Sequence, residues 1–480
     1  MQEFKNLIDG EWVGASDGAT FNSENPAKKG EIIGVFPSAT KEDTRRAIAA
    51  AREAAKEWGN MPGPARGAIL DKASRIIEAR ADEYAAILTR EEGKTRTEAM
   101  GEVTRARDIF RYYAGEGWRA GGEVLPSNAT GELLYTRREP LGVIALITPW
   151  NFPLAIPAWK MAPALAYGNT VVLKPASLAP HSGLVLVEAL VEAGVPRGVV
   201  NYITGSGRNV GDELVSSPDI HGVSFTGSYS VGKGIYAKAI ENMTRVQLEM
   251  GGKNPMIVFE DADIDKAVNL AVAGGFGLTG QACTATSRVI VAESIADEFA
   301  EALTEAARNL VVGDGLEPGT QMGPAVSEDQ LQTDLEYINI GKQEGARLLA
   351  GGDRAGDGGY YVQPTVFDFV EPKMRIAQEE IFGPVIGIIR AKDVDDAIQK
   401  ANDIGFGLSA GVVTNDLHKA FTFANRIDAG VVKINQPTTG LALQAPFGGF
   451  KNSSANTFKE QGKTAIEFYT RIKTIYVGHG

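Results

Sequence analysis

The sequence has little cysteine and little histidine. Among its 480 residues there is one cysteine, Cys283, and there are four histidines, His181, His221, His418 and His479. One cysteine cannot form an intramolecular disulfide, so the fold does not depend on an oxidising compartment, and a zinc site made of cysteines is excluded. The scattered histidines argue against a histidine cluster. We therefore expect no metal site.

Positive charge and long apolar runs are also scarce. Lys and Arg number 48 against 60 Asp and Glu, which gives a net charge of −12. This balance argues against nucleic acid as a partner, because phosphate contacts need clustered Lys and Arg. No run of about 18 apolar residues could span a membrane, and the segment MQEFKNLIDGEW lacks the basic stretch and apolar core of a signal peptide. The sequence thus predicts a cytoplasmic protein that binds neither nucleic acid nor membrane.

What the chain does contain is enough apolar material for more than one core. It is 44% hydrophobic and longer than one core usually supports, so two or three domains are expected. Thr40 to Arg119 has the spacing of surface helices, and the segment after Gly121 has the pattern of a β-hairpin leading into a buried strand. From Gly142 to Met250 strands and helices alternate, which predicts a parallel, doubly wound sheet, and a second such region follows Cys283. The β-prone tail at 456–478 could pair with another strand or subunit.

Two glycine-rich loops each follow a predicted strand and begin a helix. They are TGSGRNVG, from Thr204 to Gly211, and FTGSYSVG, from Phe225 to Gly232. Such loops can hold a pyrophosphate with backbone N–H groups and the helix dipole. Neither has the usual G-x-G-x-x-G spacing, and each alone is more often an ordinary turn, but two in successive units of one sheet favour dinucleotide binding. Lys174 ends the strand NTVVLK at the edge where such sheets bind ligands.

The lone thiol follows a loop rich in glycine. Four glycines between 274 and 280 precede Cys283, so the backbone could approach a ligand closely. A lone cysteine is more often a small buried hydrophobe than a nucleophile. On this loop, however, backbone N–H groups would lower its pKa below the free value of about 8.5 and would favour a nucleophile.

Two further residues could complete aldehyde chemistry at this thiol. A thiolate that attacks an aldehyde needs a donor for the resulting oxyanion and later a base that activates water. Asn151, in the proline-bounded turn TPWNFP, is a candidate donor, and Glu249 of LEMGGKNP is a candidate base. Taken singly, Asn151 is as readily a turn residue and Glu249 a surface carboxylate. Their relevance depends on Cys283 and on a hydride acceptor beside it.

Together the motifs resemble those of the aldehyde dehydrogenase superfamily. TPWNFP, LKPAS, FTGS, LEMGGKNP, GQACTATSR, QEEIFGPV and PFGGFKNSS occur in this order across nearly the whole chain. The fuller strings RYYAGEG, IPAWKMAPAL, QLEMGGKNP, GQACTATSRVIV and KQEGARLLAGG are most similar to the α-ketoglutaric semialdehyde (2,5-dioxopentanoate) dehydrogenases. The resemblance implies NAD(P)-dependent oxidation of an aldehyde to a carboxylic acid through a thiohemiacetal and a thioester on cysteine, with 2,5-dioxopentanoate converted to 2-oxoglutarate.

The resemblance also implies roles for individual residues. Cys283 matches the nucleophile, Glu249 the general base, and Asn151 with the Cys283 backbone N–H the oxyanion hole. Lys160 and Glu460 match a pair that can relay the proton from Glu249. The positions implied for the cofactor, NAD or NADP, are Thr148, Trp150, Lys174, Ser177, Gly207, Gly211, Phe225, Gly227, Ser228, Glu380 and Phe382. The candidate substrate pocket comprises Phe152, Trp159, Thr284 and Gln444.

The fold implied by the resemblance is α/β, with a parallel Rossmann-type cofactor domain, a second α/β catalytic domain and a small β bridging element. We expect the cofactor domain at 1–122 and 143–250, the catalytic domain at 251–449, and the bridging element at 123–142 and 450–480. Bridges of this kind pair between subunits, so a homodimer or homotetramer is expected.

One position bears on the choice of cofactor. NAD-specific members usually carry Glu three residues after the lysine that Lys174 matches, whereas this chain has Ser177 there. A carboxylate about 4 Å from a 2′-phosphate would repel it by roughly 4 kcal/mol at intermediate dielectric. Because that carboxylate is absent, we expect both NAD and NADP to be used.

The substrate is the least defined part of the prediction. A 2,5-dioxopentanoate carboxylate needs a cation, and the candidate pocket contains no obvious arginine, so Ser453 or a backbone nest is the alternative. Succinate semialdehyde or a broad range of aliphatic aldehydes is the alternative substrate. A non-catalytic dinucleotide-binding protein is the alternative of another class, and acyl transfer to CoA is disfavoured because Glu249 is present to activate water.

Overall fold

The computed structural model describes residues 2–454 and 458–479. Residues 455–457 and 480, which belong to the expected bridging element, lie outside the described residues, as does residue 1. The strands are β1 (Asn6–Ile8), β2 (Glu11–Val13), β3 (Thr20–Glu24), β4 (Ile32–Pro37), β5 (Val124–Leu125), β6 (Glu132–Pro140), β7 (Val143–Ile147), β8 (Thr170–Lys174), β9 (Val200–Tyr202), β10 (Gly222–Thr226), β11 (Arg245–Glu249), β12 (Asn254–Val258), β13 (Thr286–Ala292), β14 (Arg347–Ala350), β15 (Thr365–Asp368), β16 (Val385–Ala391), β17 (Phe406–Gly407), β18 (Ser409–Val413), β19 (Val431–Ile434), β20 (Phe450–Lys451) and β21 (Thr470–Gly478).

The helices connect these strands and cover their sheets. They are α1 (Lys41–Asn60), α2 (Gly63–Ala79), α3 (Ala81–Glu92), α4 (Arg96–Arg119), α5 (Ala155–Ala166), α6 (Pro180–Ala193), α7 (Asp212–Ser216), α8 (Tyr229–Ala239), α9 (Ile264–Gly275), α10 (Ala296–Arg308), α11 (Glu328–Gln343), α12 (Arg375–Gln378), α13 (Val394–Asn402), α14 (Leu417–Arg426) and α15 (Ala465–Tyr469). None of those described is both long enough and apolar enough to cross a membrane.

Capping residues fix where the helices before β5 begin and end. The Thr40 side chain accepts a hydrogen bond from the Asp43 backbone N–H, and the Asp43 carboxylate accepts one in return, so α1 begins with a capping box. Thr95 and Glu98 begin α4 in the same way. The intervening helix α3 ends at Gly93, whose φ of +98° lies in the left-handed region that glycine adopts without strain.

The first sheet has the strand order β11-β10-β7-β8-β9-β1-β2. The five strands from β11 to β9 are parallel, and their apolar residues pack against helices, as the alternating sequence pattern predicts. One difference is that the N-terminal hairpin β1–β2 adds two antiparallel strands, with Leu7 paired to Tyr202 of β9. The sheet is therefore parallel over its central part and mixed at one edge.

The second sheet has the order β14-β15-β16-β13-β12-β18-β19 and is parallel except at β14. Successive residues of its central strands alternate between two apolar clusters. Ile257 belongs to one of them, and its neighbours Met256 and Val258 belong to the other. The sheet is thus buried on both faces, and the predicted α/β fold with two sheet layers is confirmed.

The third sheet joins the two segments expected to form a bridge. β21 pairs antiparallel with β6 from Thr470–Pro140 to Gly478–Glu132, and β5 pairs with the other edge of β6. The β-prone tail therefore finds its partner strand within the chain. Apolar side chains on this sheet, including those of Ile472 and Tyr476, remain exposed.

Candidate active site

Parallel strands of the first sheet end side by side, and their last residues form one wall of the site. The strand register aligns Ile147 with Lys174 and Thr226 with Glu249. Open α/β sheets bind ligands at this carboxyl edge. Thr148, directly after β7, and Thr226 each have a buried hydroxyl without a hydrogen-bond partner among the described residues. Thr226 lines a cavity at this edge, so its hydroxyl is available to a ligand, whereas the predicted cofactor residue Thr148 does not line that cavity.

Cys283 follows a turn in which Thr279 and Gly280 have positive φ angles. Thr279 has a φ of +58°, which is strained for a residue other than glycine. A Cβ on Gly280 would lie 2.3 Å from the carbonyl oxygen of Gly383, so a side chain cannot be accommodated there. Asn254 Nδ2 then donates to the Cys283 carbonyl oxygen at 2.9 Å. These contacts fix the backbone that carries the thiol.

The thiol lines two cavities. The first, of about 230 Å³, lies at the sheet edge and is called here the sheet-edge cavity. Its walls include Trp150, Asn151, Gly227, Ser228, Glu380 and Phe382. The second, of about 390 Å³, is bordered by α4 and is called the helix-side cavity. Its walls include Glu98, Glu102, Arg105, Phe152, Trp159 and Thr284. Cys283 therefore borders both cavities.

The pKa of the thiol differs from the sequence-based expectation. Burial raises the pKa of Cys283 to about 12, and the Glu380 and Glu249 carboxylates add to this effect. The backbone N–H groups of Thr284 and Cys283 lower the pKa but do not outweigh burial. The expectation of a pKa below 8.5 is therefore wrong. The thiol is protonated at neutral pH and needs a base before it can act as a nucleophile.

Glu249 is a buried carboxyl group at the end of β11. Ser454 Oγ donates to its Oε1 at 3.4 Å, and its Oε2 has no hydrogen-bond partner among residues 2–454 and 458–479. Burial, followed by the charge of Glu460, raises the pKa of Glu249 well above the ordinary value. Because its charge also acts on Cys283, Glu249 is an acceptor of suitable basicity near the thiol.

Lys160 and Glu460 form a buried ion pair whose charges act on the Glu249 carboxyl group. Lys160 Nζ donates to Glu460 Oε1 and, at 2.8 Å, to Ser224 Oγ. The other oxygen of Glu460 has no hydrogen-bond partner in the described part of the chain. The structure therefore brings together the residues that the resemblance links, Glu249, Glu460 and Lys160, within one buried group of charges.

Asn151 lies where an oxyanion donor is expected. It is buried and lines the sheet-edge cavity beside Cys283. Its Nδ2 donates to the Gln281 carbonyl oxygen at 3.0 Å, and Lys94 Nζ donates to the Asn151 carbonyl oxygen at 2.7 Å. A side-chain amide has two N–H donors, so one remains for a ligand.

A cleft of about 500 Å³ occupies the neighbouring part of the sheet edge and is lined by Lys174, Gly207 and Gly211. Burial lowers the pKa of Lys174 to about 8. A Cβ on Gly207 would meet no atom within 4 Å, so the backbone here borders open space. A lysine between glycine backbone N–H groups at a helix start fits a pyrophosphate. The cleft and the sheet-edge cavity with the free hydroxyl of Thr226 together fit a dinucleotide.

The loop that carries Glu380 and Phe382 closes the sheet-edge cavity. Gly252 N–H donates to Glu380 Oε1 at 2.9 Å, and a Cβ on Gly251 would lie 1.9 Å from the same carboxyl group. Phe382 packs edge-on against Trp150, with ring centroids 5.3 Å apart. Its φ of +62° is a strained conformation of the kind found at functional sites.

The remaining predicted cofactor residues occupy different environments. Gly227 and Ser228 line the sheet-edge cavity. Phe225 is buried beneath them, since a Cβ on Gly227 would lie 2.5 Å from its ring. Ser177 is exposed after β8 and donates to the Gly205 carbonyl oxygen at 3.5 Å. Phe225 therefore supports the loop, whereas Ser177 is not part of the wall of the 500 Å³ cleft.

Arg208 and Gln330 are two of the cavity residues that the sequence reasoning did not identify. Arg208 lines the 500 Å³ cleft and lies within the glycine loop TGSGRNVG, so its position beside a phosphate-binding loop was a usable signal. Gln330 lines the sheet-edge cavity and donates through Nε2 to Asp334 Oδ1 at 2.9 Å and to the Ile381 carbonyl oxygen. It comes from α11, and no motif marks it.

The helix-side cavity corrects the predicted substrate pocket. Phe152, Trp159 and Thr284 line it, whereas Gln444 is exposed and is not part of its wall. The expectation that the pocket holds no arginine is wrong, because Arg105 of α4 lines it.

The sequence-based alternative to an arginine, Ser453, lies outside this cavity wall. Its hydroxyl is buried and accepts a hydrogen bond from the Gly407 backbone N–H at 3.1 Å. Within residues 2–454 and 458–479, no three His, Cys, Asp or Glu side chains are grouped so that they could hold a metal ion.

Comparisons with known proteins agree with this geometry. The sequence model of the aldehyde dehydrogenase family matches residues 12–475. An alpha-ketoglutarate semialdehyde dehydrogenase of Haloferax volcanii is 49% identical, and the match covers 98% of each chain. A 2,5-dioxopentanoate dehydrogenase of Saccharolobus solfataricus is 48% identical over the full length of both. A crystal structure of betaine aldehyde dehydrogenase from Staphylococcus aureus in complex with NAD+ superposes with a TM-score of 0.97 at 37% identity, covering 99% of this chain and 95% of the other.

Proposed function

The chain belongs to the aldehyde dehydrogenase family, and from this premise we propose that it oxidises 2,5-dioxopentanoate to 2-oxoglutarate with NAD or NADP as the hydride acceptor. One observation carries the proposal. The only thiol of the chain lines both a cavity at the sheet edge, which fits a dinucleotide, and a separate cavity beside α4, which is open to an aldehyde. Cys283 can therefore hold a substrate between the two.

The first step is addition of Cys283 Sγ to the aldehyde carbon. The thiol must lose its proton, and Glu249 is the base because its raised pKa matches this task better than that of an ordinary carboxyl group. The aldehyde oxygen becomes an oxyanion, which the free N–H of the Asn151 side chain and the Cys283 backbone N–H stabilise. Glu249 thus removes the thiol proton, and Asn151 together with the Cys283 backbone N–H stabilises the new negative charge.

The second step gives a thioester on Cys283. When bound, the nicotinamide dinucleotide supplies the acceptor for the hydride that the adduct loses. Lys174, Gly207 and Gly211 line the cleft and would hold its pyrophosphate, and Glu380 and Phe382, which border the sheet-edge cavity, would position the nicotinamide end. These assignments follow from the family positions and from the fit of the residues to the group.

The third step is hydrolysis of the thioester. Glu249 must first pass the proton taken from the thiol towards the Glu460 and Lys160 pair, so that its carboxylate is ionised again. It then takes a proton from water, whose oxygen attacks the acyl carbon and releases the carboxylic acid and the Cys283 thiolate. The proton then passes towards the Glu460 and Lys160 pair, which lies in the same buried group. Lys160 and Glu460 thus act as a proton relay and not only as a structural ion pair.

The substrate assignment is tested by a panel of aldehydes. The relatives from H. volcanii and S. solfataricus are named for one substrate, and it is the one proposed here. We expect kcat/KM to be highest for 2,5-dioxopentanoate, lower for succinate semialdehyde and lowest for pentanal, as measured by formation of reduced nicotinamide. Equal rates across the panel would rule out this substrate. Lack of any turnover would favour a non-catalytic dinucleotide-binding protein instead.

We propose that both dinucleotides are accepted. Ser177 places no carboxylate beside the cleft, and Arg208 of the cleft wall adds a cation suited to a 2′-phosphate. Steady-state kinetics should give NADP a kcat/KM within about a hundredfold of that for NAD. Thousandfold discrimination against NADP would contradict the proposal.

We propose further that the chain works in the cytoplasm as a homodimer or homotetramer, with a cofactor domain at 1–122 and 143–250, a catalytic domain at 251–449 and a bridging element at 123–142 and 450–480. Exposed apolar side chains on β5, β6 and β21 support pairing between subunits. Light scattering coupled to size exclusion should give two or four chains per particle, and a monomer would exclude this assembly.

A further inference from the structure

Three charged residues of α4 line the helix-side cavity. Glu98, Glu102 and Arg105 are spaced by four and three residues and so share one face of the helix. They are the charged side chains that the substrate would meet on its way to Cys283. Which of them is free to bind it depends on what each already holds.

Both carboxylates are committed to the protein. Glu98 accepts hydrogen bonds from the Thr95 backbone N–H at 2.8 Å and from the Leu278 backbone N–H at 2.7 Å. Glu102 pairs with Lys94 Nζ at 2.7 Å. Its other oxygen accepts from the backbone N–H groups of residues 154 and 155, both at 2.9 Å. The two negative charges are therefore neutralised or capped by structural partners.

Arg105 forms no ion pair of this kind, although the charge of Glu102 acts on it: burial lowers the pKa of Arg105, and Glu102 opposes this effect. Within residues 2–454 and 458–479, no carboxylate oxygen lies within 4.0 Å of its guanidinium. Its two terminal nitrogens donate to neutral acceptors, the Leu441 carbonyl oxygen and, at 2.8 Å, Gln461 Oε1. Its guanidinium lies 5.7 Å from the ring centroid of Trp159. A guanidinium has five N–H donors, so three remain after these two bonds.

The residue next to Arg105 also has an unused donor. Gln461 is almost completely buried, and its Nε2 has no hydrogen-bond partner among the described residues. Because Gln461 Oε1 accepts from Arg105, the free amide N–H₂ belongs to a group already in contact with the guanidinium. Gln461 has a φ of +64°, a strained backbone that holds its side chain in this position. Half-buried Arg105 thus offers unpaired donors at the cavity wall, and Gln461, which does not line this cavity, fixes one of its nitrogens.

Arg105, held by its hydrogen bond to Gln461, matches one chemical class of ligand. A partly buried cation without an ion-pair partner is costly unless a ligand supplies one. We propose that Arg105 binds the carboxylate of an aldehyde substrate that is also a 2-oxo acid. This proposal rests on the proposed function, because it names the residue that selects 2,5-dioxopentanoate. The aromatic side chains of Phe152 and Trp159 then enclose the methylene groups between the two ends.

The first test compares substrates with and without the carboxylate. Arg105→Met retains much of the stem but removes the charge, and Arg105→Lys retains the charge but loses the planar fork. Relative to pentanal, Arg105→Met should lose roughly 10- to 150-fold in kcat/KM for 2,5-dioxopentanoate, mostly through KM, and Arg105→Lys should lose less. The control is Arg111→Met, which removes an arginine of the same helix that pairs with Glu78 outside the cavity. It should keep the wild-type ratio.

The outcomes separate this proposal from the proposed function. If the wild type does not prefer 2,5-dioxopentanoate to pentanal, the proposed substrate is wrong. If the wild type has that preference but Arg105→Met loses equally on both substrates, or on neither, the substrate stands and the role of Arg105 is overturned. Should Arg105→Met fail to fold, Arg105→Lys is decisive, since a ratio equal to that of Arg111→Met would overturn the role of Arg105.

A second test measures binding without turnover. Cys283 is the only cysteine in the sequence, so alkylation by iodoacetamide reports on this site alone. 2-Oxopentanoate carries the proposed carboxylate and oxo group but has a methyl group where the aldehyde would be, and 2-pentanone lacks the carboxylate. In the wild type and Arg111→Met, 2-oxopentanoate should slow alkylation at least tenfold more effectively than 2-pentanone. In Arg105→Met the two should protect equally, and retention of the difference in that variant would overturn the proposal.

Discussion

The two cavities that share Cys283 are built in different ways. The walls on the dinucleotide side are mostly strand ends, glycine backbone and short loops, and many of the contributing residues lie within recognisable motifs, with Gln330 of α11 as an exception. The helix-side cavity is made by side chains of α4, by Trp159 of α5 and by loop residues near 440. A backbone-built site follows from the fold itself, whereas a side-chain-built site can change its specificity without any change of fold. The comparison predicts which substitutions affect one side of the sulfur and which affect both.

Cys283 itself belongs to both sides, so its replacement gives the largest effect. Cys283→Ser should lower aldehyde oxidation at least about a thousandfold, because a serine hydroxyl is a far weaker nucleophile than a thiolate. Affinity for reduced nicotinamide dinucleotide, measured by fluorescence titration, should change less than about twofold, since the cleft is untouched. Wild-type turnover in this variant would show that the thiol is not the nucleophile.

Glu249 should separate the chemical steps. In Glu249→Gln the steady-state rate is expected to fall about 10²- to 10⁴-fold through loss of the base for hydrolysis. In stopped-flow measurements, any acylation that still occurs should appear as a burst of at most one reduced nicotinamide per subunit. A steady-state rate equal to that of the wild type would contradict the role of Glu249.

The pH dependence of the same step follows from the environment of Glu249. Burial and Glu460 raise the pKa of Glu249 well above the ordinary carboxyl range. The fraction of ionised Glu249 therefore increases as the pH rises through this elevated value, and the wild-type hydrolysis rate should rise with it. Glu249→Gln should lose this limb of the profile.

Ser177 affects only the dinucleotide side. Ser177→Glu would place a carboxylate near a 2′-phosphate at an exposed position, where water screens the repulsion to about 1 kcal/mol. The ratio of kcat/KM for NADP to that for NAD should fall about fivefold, and the effect should shrink at high ionic strength. Ser177→Ala is the matched control and should keep the wild-type ratio. An unchanged ratio in Ser177→Glu would show that the 2′-phosphate binds elsewhere.

The smallest expected effect concerns α4, the helix that borders the helix-side cavity. Thr95→Ala removes the capping box of α4, and Thr40→Ala removes that of α1, so each should lower the free energy of unfolding by about 1 kcal/mol. Only Thr95→Ala should also raise KM for 2,5-dioxopentanoate, by less than about threefold, because Glu98 links this cap to the Leu278 backbone near Cys283. Equal KM values in both variants would show that the cavity does not depend on the start of α4.

The same contrast explains what the sequence could predict. The two sheets, the helices from 40 to 119 and the hairpin follow from apolar periodicity, and the strand ends locate Lys174 and Glu249 at one edge. Arg105 was missed because its contact with the cavity depends on which face of α4 packs inward, although its spacing from Glu98 and Glu102 was visible. Gln444 was misplaced because a loop position in sequence does not fix whether a side chain points inward.

The pKa of Cys283 was misjudged for a related reason. The neighbouring backbone N–H groups could be inferred from the glycine loop, but the extent of burial depends on residues brought together from Asn151 to Glu380. Burial was the larger effect. The local sequence therefore indicated the direction of the smaller effect on the pKa, that of the backbone N–H groups, but not the direction of the net shift.

The elevated pKa has a consequence for the survival of the protein under oxidative stress. Peroxides convert thiolates to sulfenic acid much faster than they convert thiols, and further oxidation is irreversible. A nucleophile whose pKa is about 12 remains in the thiol form in the resting protein. The burial that delays ionisation until a base acts also protects the only sulfhydryl group of the chain from damage between turnovers.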